Sequence, residues 1–348
     1  VTAPAIPEQD HAQLVAAYGA AQRRAVLAAE RQAARWWAAL DTGDLSGSYL
    51  QRVGPALVRL LTAAQLLAAG PAQAYVDGMV RADGLEAQYD QGASRVAARA
   101  LTGVAADGRP LDSLLYMPVI RTKTLLGSGV TLPEAMAAGQ MSLQRIVASE
   151  VADAGSGAFG VAVAANRTTT GYIRMVRAGA CSRCAILAGR WYRWNADFLR
   201  HKRCECYGVP ATSARPGRTT DPMSFFHSLS RSEQDRRFTV GGAQAIRDGA
   251  DIYQVVNASR SVTTLDAYGQ KVVATLEGTT KRGSFYRQVL RETEQRTGQS
   301  FARGAYDLER GLPQFRLRTP RLMPGEIYRL AESRDDVIRL LRRFGYLT

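Results

Sequence analysis

Thr168-Thr169-Thr170-Gly171-Tyr172-Ile173-Arg174-Met175-Val176, followed shortly by Cys181-Ser182-Arg183-Cys184, is where the chain changes texture. Its β-branched and alternating residues predict a strand that feeds directly into the first cysteine pair. A second short strand is predicted at Arg190-Trp191-Tyr192-Arg193, so that a hairpin would present the pair.

Upstream of Arg167 the pattern is helical, with long runs of Ala, Leu, Gln and Arg and apolar residues at three- and four-residue steps. Residues 11–40 read as one helix with a stripe of Leu14, Val15, Tyr18, Ala21 and Val26, and Trp36 and Trp37 supply packing bulk near its end. Breaks are expected at 41–47, 70–71, 106–110 and 127–131. The last ends in Thr131-Leu132-Pro133-Glu134, a capping box with proline just inside the helix. Downstream of Pro210, Asp221-Pro222 reads as an N-cap with proline at the first helical position, and Ser230-Arg231-Ser232-Glu233 as another capping box. Short helices are therefore predicted over 222–229, 231–237, 240–248 and 251–258, then near 285–297, over 324–332 and over 334–344. The result is a mainly α fold with some β. It has a helical N-terminal region over 1–166, a small β-hairpin subdomain over 167–218 stapled through its cysteines, and a basic helical C-terminal part over 219–348.

The 348 residues are 46% hydrophobic and 22% charged, an ordinary globular mixture that can fill a core. The first ten residues carry acids and no basic n-region, so no signal peptide is expected. Nor is a membrane span, since no window of about 18 to 20 residues is uninterruptedly apolar.

All four cysteines fall between Cys181 and Cys206, with the spacing Cys181-x-x-Cys184 and then His201-x-x-Cys204-x-Cys206. A disulfide scaffold would scatter more cysteines through a shorter chain. Two close pairs on two turns are how one chain supplies four soft ligands to a tetrahedral zinc ion. Five candidates compete for four places. Cys181, Cys184, His201 and Cys204 are favoured, with Cys206 able to replace one of the second pair. A site with four protein ligands is closed, so this zinc would staple a fold and not activate water. The basic neighbours Arg183, Lys202 and Arg203 would offset the charge of three thiolates.

The net charge of +14 is unevenly spread. Residues 1–150 hold 13 basic and 13 acidic side chains, which leaves 32 and 18 for the rest of the 45 and 31. Residues 167–218 alone carry eleven basic residues against Asp197 and Glu205, a candidate surface for phosphate. Arg174, Arg177, Arg183, Arg190, Arg193, Lys202 and Arg203 are its candidate contacts. Only four of the 45 basic residues are lysine, so codon usage explains part of the arginine count, though not the balance of the first 150. A second phosphate contact is Lys281 and Arg282 in Glu277-Gly278-Thr279-Thr280-Lys281-Arg282-Gly283, where glycine-flanked amides can cradle an oxyanion. It lacks the ending of a nucleotide loop, and its plainer reading is a surface turn.

Gly171-Tyr172-Ile173-Arg174-Met175-Val176 before Cys181-Ser182-Arg183-Cys184, then Gly189-Arg190-Trp191-Tyr192 and Phe198-Leu199-Arg200-His201-Lys202-Arg203-Cys204-Glu205-Cys206, resembles the minor head proteins of tailed bacteriophages typified by the F protein of phage Mu. The actinobacteriophage branch is the most similar. Asp221-Pro222, Ser230-Arg231-Ser232-Glu233-Gln234-Asp235-Arg236, Ala245-Ile246-Arg247-Asp248-Gly249-Ala250-Asp251 and Gln254-Val255-Val256-Asn257-Ala258 extend the resemblance, which covers about 170–283. It implies a protein of few copies in the virion, inside the phage head near the portal, and in the host cytoplasm during assembly. Its implied partners are the portal protein, the major capsid protein or both, while the arginine-rich segment is expected to contact double-stranded DNA through phosphates. Members of this branch are often labelled capsid maturation proteases.

A protease needs a nucleophile and a base, and the chain has only His11, His201 and His227. With His201 on a metal, His11 and His227 remain, and both read as half-buried structural histidines. Ser156, in Gly155-Ser156-Gly157, lacks the Gly-x-Ser-x-Gly elbow, and no His-Glu-x-x-His motif is present. A metal-dependent DNA-processing enzyme is a further alternative, but no second carboxylate cluster is evident for its metal. The sequence therefore favours a structural role over an enzymatic one.

Overall fold

The computed structural model describes residues 8–90, 95–176, 179–196, 206–213, 221–317 and 319–347. The chain is mostly helical with small antiparallel sheets. It divides into two compact units, Val1–Ala180 with Gly189–Thr219, and Cys181–Ala188 with Thr220–Thr348.

In the first unit, α1 (Glu8–Ala38), α2 (Leu45–Ser48), a π turn (Tyr49–Val53), α3 (Gly54–Ala69), α4 (Ala72–Ala82), α5 (Leu111–Gly127) and α6 (Leu132–Ala165) follow in order. Helix α6 is the spine, packing on α1, α3, α4 and α5. It starts where the capping box predicts, with Pro133 in its first turn and the Glu134 carboxylate accepting the Thr131 N–H at 3.3 Å. Its core contacts are Leu143, Val147 and Val151 against Trp37, Leu57, Leu61, Leu115 and Val119. Trp37 is 2% exposed and donates its Nε1–H to the Met136 carbonyl at 3.0 Å. A Cβ at Gly139 would lie 2.4 Å from the Trp37 ring, so only glycine lets α6 approach this closely.

Two helical stretches, Leu45–Ala82 and Leu132–Ala165, are long and apolar enough by length and composition to cross a membrane, with half of each apolar window buried in the fold. Leucine, valine and alanine make both stretches apolar on average although polar residues interrupt them, so neither contains an unbroken apolar run, and Leu57, Leu61, Leu143 and Val147 of these stretches line a helical core.

Beyond α6, β1 (Gly171–Met175) lies between β2 (Trp191–Arg193) and β3 (Tyr207–Ala211), both antiparallel to it. The β1–β2 hairpin follows the predicted alternation, with Tyr172 opposite Tyr192 and Ile173 opposite Trp191. Strand β3 was not anticipated, and it contains Pro210. It is an edge strand, where a missing N–H is tolerated. An aromatic ladder fastens this sheet to the helices. Tyr18 stacks on Tyr75 at 4.1 Å, Phe159 meets Tyr172 edge-on at 5.5 Å, and Tyr172 stacks on Tyr192 at 5.5 Å. Each such pair contributes about 0.5–1.5 kcal/mol beyond its buried area. One helical expectation fails: residues 83–109 hold only a 3-10 turn at Ala98–Leu101 among those described. Glycines and the pinning of side chains, such as Gln65 Nε2 on the Val104 carbonyl at 2.9 Å, replace helical bonds there.

The second unit comprises α7 (Ser182–Ala185), α8 (Pro222–His227), α9 (Arg231–Phe238), α10 (Val240–Arg247), α11 (Ile252–Ala258), β4 (Val262–Ala267), β5 (Gln270–Thr275), α12 (Ser284–Thr297), α13 (Ala305–Glu309), β6 (Arg321–Leu322), α14 (Pro324–Leu330) and α15 (Arg334–Arg343). The predicted caps are in place. The Asp221 carboxylate accepts the Met223 and Ser224 amides at 2.9 and 3.0 Å. Ser230 and Glu233 exchange bonds at 3.3 and 3.4 Å, and Ser333 Oγ accepts the Asp336 N–H at 3.1 Å. The hairpin β4–β5, with β6 beside β5, was not anticipated. Its signals are legible in retrospect: β-branched Val262, Thr263, Thr264, Val272 and Val273 flank a two-residue Tyr268-Gly269 turn with φ values of 55° and 73°.

Candidate metal centre

The two ends of the cysteine cluster are built by different local rules. Cys181 opens α7, and its carbonyl accepts the N–H groups of both Cys184 and Ala185 at 3.0 Å. That turn closes the chain over the Cys-x-x-Cys spacing, the backbone arrangement on which chelating cysteine pairs are built. Cys181 is half-buried and Cys184 is buried, and the turn packs on α8 and α11.

Cys206 immediately precedes β3 and is 3% exposed. On the neighbouring strand, Arg174 is 2% exposed and its Nη2 donates to Cys206 Sγ at 3.4 Å. The register that sets Arg174 opposite Gly208 and Met175 opposite Tyr207 produces this contact. A guanidinium seated on a sulfur stabilises negative charge there, which suits a thiolate ligand. Arg174 thus departs from its expected role: its side chain points inward to a thiol and not outward to a phosphate.

His201 and Cys204 lie outside the described residues, as do Arg177, Lys202 and Arg203. Among the described residues no group of three or more His, Cys, Asp or Glu is arranged to hold a metal ion. The donors that are described, the Cys181–Cys184 knuckle and the cation-flanked Cys206, have the chemistry of soft-metal ligands.

The remaining basic candidates, Arg183, Arg190, Arg193, Lys281 and Arg282, are all exposed. Arg190 lies over the Tyr192 ring at 5.4 Å, and Trp194 beyond Arg193 is 43% exposed. Strand β2 and its two flanking residues, Arg190-Trp191-Tyr192-Arg193-Trp194, therefore place two cations among three aromatic rings, a pattern that serves phosphate and base contact alike.

Ser156 sits within α6, where the helical backbone gives it no strand-to-helix elbow. His227 is exposed, not half-buried as expected. His11 is 6% exposed and belongs to a clasp that sequence reading missed. Its Nε2 bonds Asp83 Oδ1 at 2.7 Å, while Thr212 Oγ1 donates to Asp83 Oδ2 at 2.9 Å. One carboxylate thereby ties the start of α1, the end of α4 and the segment after β3. Separations of 72 and 129 residues left no local signal for it. Compared with protein-family models, curated proteins and solved structures, the chain finds no match in any of the three.

Proposed function

We propose that this chain is a minor head protein of a tailed bacteriophage, with a structural role inside the head near the portal in head assembly and in DNA packaging or ejection. The observation that carries the reading is the ordered run of motifs from Gly171 to Cys206, the cysteine pair, Gly189-Arg190-Trp191-Tyr192 and the histidine–cysteine group, continued by the Asp221, Ser230 and Ala245 segments. The helical N-terminal region docks on the portal protein, the major capsid protein or both. Exposed Arg183, Arg190, Arg193, Lys281 and Arg282 engage packaged double-stranded DNA through phosphates, a sequence-independent mode that weakens steeply with salt.

In this reading one structural Zn2+ is held by Cys181, Cys184, His201 and Cys204, with Cys206 as the alternative to one of the second pair. The knuckle at Cys181 and the guanidinium on Cys206 support thiolate ligation. When bound, the ion supplies cross-linking and no chemistry. Metal analysis of the purified protein tests this directly. Wild type is expected to carry zinc, and Cys181→Ser and His201→Ala to lose both the metal and the fold of the cysteine segment. A metal-free wild type refutes the staple. Cleavage of a coat or scaffold protein that survives chelation and vanishes on changing Ser156 would replace the structural role by the maturation-protease role.

A further inference from the structure

The sheet of the second unit treats its two edges differently. Strand β5 has β6 beside it for two residues, with Ala274 opposite Leu322 and Thr275 opposite Arg321. Where β6 stops, α14 takes over. Met323 N–H donates to the Val273 carbonyl at 3.0 Å, Glu326 Oε2 accepts the Val273 N–H at 3.3 Å, and Arg329 reaches the Lys271 carbonyl at 3.5 Å and Gln270 Oε1 at 3.1 Å. The outward groups of Val273 and Thr275 and the Lys271 carbonyl are thus occupied by this chain.

The β4 edge has no such cover among the described residues. Its register runs from Val262 opposite Thr275 to Ala267 opposite Gln270, and Leu276 N–H donates to the Ser261 carbonyl at 2.9 Å. Antiparallel pairs alternate, so Thr263, Leu265 and Ala267 bond inward to β5. The amides and carbonyls of Val262, Thr264 and Asp266 therefore point away from the sheet. Natural edges are blunted by lysine, proline or bulges. Val262-Thr263-Thr264-Leu265-Asp266-Ala267 has none of these and one charge, with Val262 51% exposed.

We propose that this edge pairs with the same strand of a second copy of the chain, antiparallel about a two-fold axis at Thr264. In that register the single acid of each strand meets no like charge, so a second copy can occupy the edge without repulsion and no foreign strand need be invoked. Thr264 faces Thr264 of the second copy, a favourable cross-strand pair. Val262 faces Asp266 of the second copy, so the acid never opposes its own image, and Lys271 beside each Asp266 balances its charge. All three outward residues then exchange both backbone bonds, and the two sheets join as one, ordered β6-β5-β4 and then the same strands in reverse. The interface is isologous and closes at two copies. It is independent of the zinc and DNA readings above.

The test uses the full-length chain. Sedimentation equilibrium is expected to show twice the 37.8 kDa chain mass, and hydrogen exchange to show Val262, Thr264 and Asp266 amides protected at high concentration and released on dilution. Thr264→Pro removes an outward N–H and spares the inner ladder, so it should sediment as a single chain with the hairpin intact. Thr264→Lys, at an exposed position, sets two cations face to face on the axis and should weaken the dimer by about tenfold or more without disturbing the fold, which covers the case in which the proline variant misfolds. Thr264→Cys should form a disulfide with its own copy under mild oxidation. A native chain that stays at single mass with fast-exchanging edge amides overturns the proposal, and so does a dimer indifferent to both Thr264→Pro and Thr264→Lys.

Discussion

Arg321 is 1% exposed and is held by oxygens that carry no formal charge. Its Nε donates to the Phe344 carbonyl at 2.9 Å, Nη1 to the Glu277 carbonyl at 3.1 Å, and Nη2 to Gln254 Oε1 at 3.0 Å and the Gly345 carbonyl at 3.3 Å. Burial pushes its pKa down, while the phenol of Tyr346 and the carboxylates of Glu277 and Asp251 oppose that shift. The guanidinium also lies 4.4 Å from the Tyr346 ring centre. This one side chain closes the end of α15 onto the loop after β5. Arg321→Met should cost about 3 kcal/mol or more, because several buried oxygens lose their donor together. Arg321→Lys should recover little of it, since a point charge cannot reproduce a planar fork. Urea midpoints of the two variants decide the matter. Tyr346 supplies a pH signature in the same place. Burial pushes its phenol up to about 12, and its hydroxyl donates to the Leu322 carbonyl at 2.9 Å. The unfolded phenol ionises first, so the stability it confers is complete below about pH 10 and is lost as pH rises through 12. Tyr346→Phe should remove about 1.4 kcal/mol per pH unit from the alkaline slope of unfolding free energy.

Helix starts and hairpin turns are the elements whose energies can be altered one residue at a time. Ser230→Ala removes one half of the α9 capping box and leaves the Glu233 amide without its acceptor, at an expected cost of about 1 kcal/mol. Circular dichroism during thermal unfolding should register it as a lower midpoint. Tyr268 runs the other way. It holds a positive φ of 55° beside Gly269 and is 55% exposed, so its ring returns little for the backbone strain. Tyr268→Asn places the favoured Asn-Gly pair in that turn and should raise stability by about 0.5–1 kcal/mol. A lowered midpoint would mean that the exposed ring has a contact of its own to keep.

At the scale of the whole molecule, metal and DNA give separate readouts. Zinc removal by a chelator should unfold the cysteine segment while α1 to α6 keep their helical signal, because Trp37, Leu57, Leu61 and Leu143 hold those helices without any metal. DNA affinity should fall linearly with log salt, and the double variant Arg190→Ala with Arg193→Ala should flatten that slope by about 1.8, the equivalent of two phosphates. A duplex affinity with no salt slope would end the DNA reading. The long α1, the cap at Thr131, the restart at Asp221 and the strand leading to Cys181 were all legible in sequence. The β4–β5 hairpin was legible and overlooked, its β-branched residues being read as a gap between helices. By itself the sequence determined where elements begin and stop, since caps, prolines and turn residues act within about four positions of themselves. Only the tertiary structure decided that Arg174 turns inward to Cys206, that Pro210 lies in an edge strand, and that His11, Asp83 and Thr212 form one clasp. These depend on segments far apart in the chain closing on one another, and a side chain's direction is set by whichever neighbours that closure delivers.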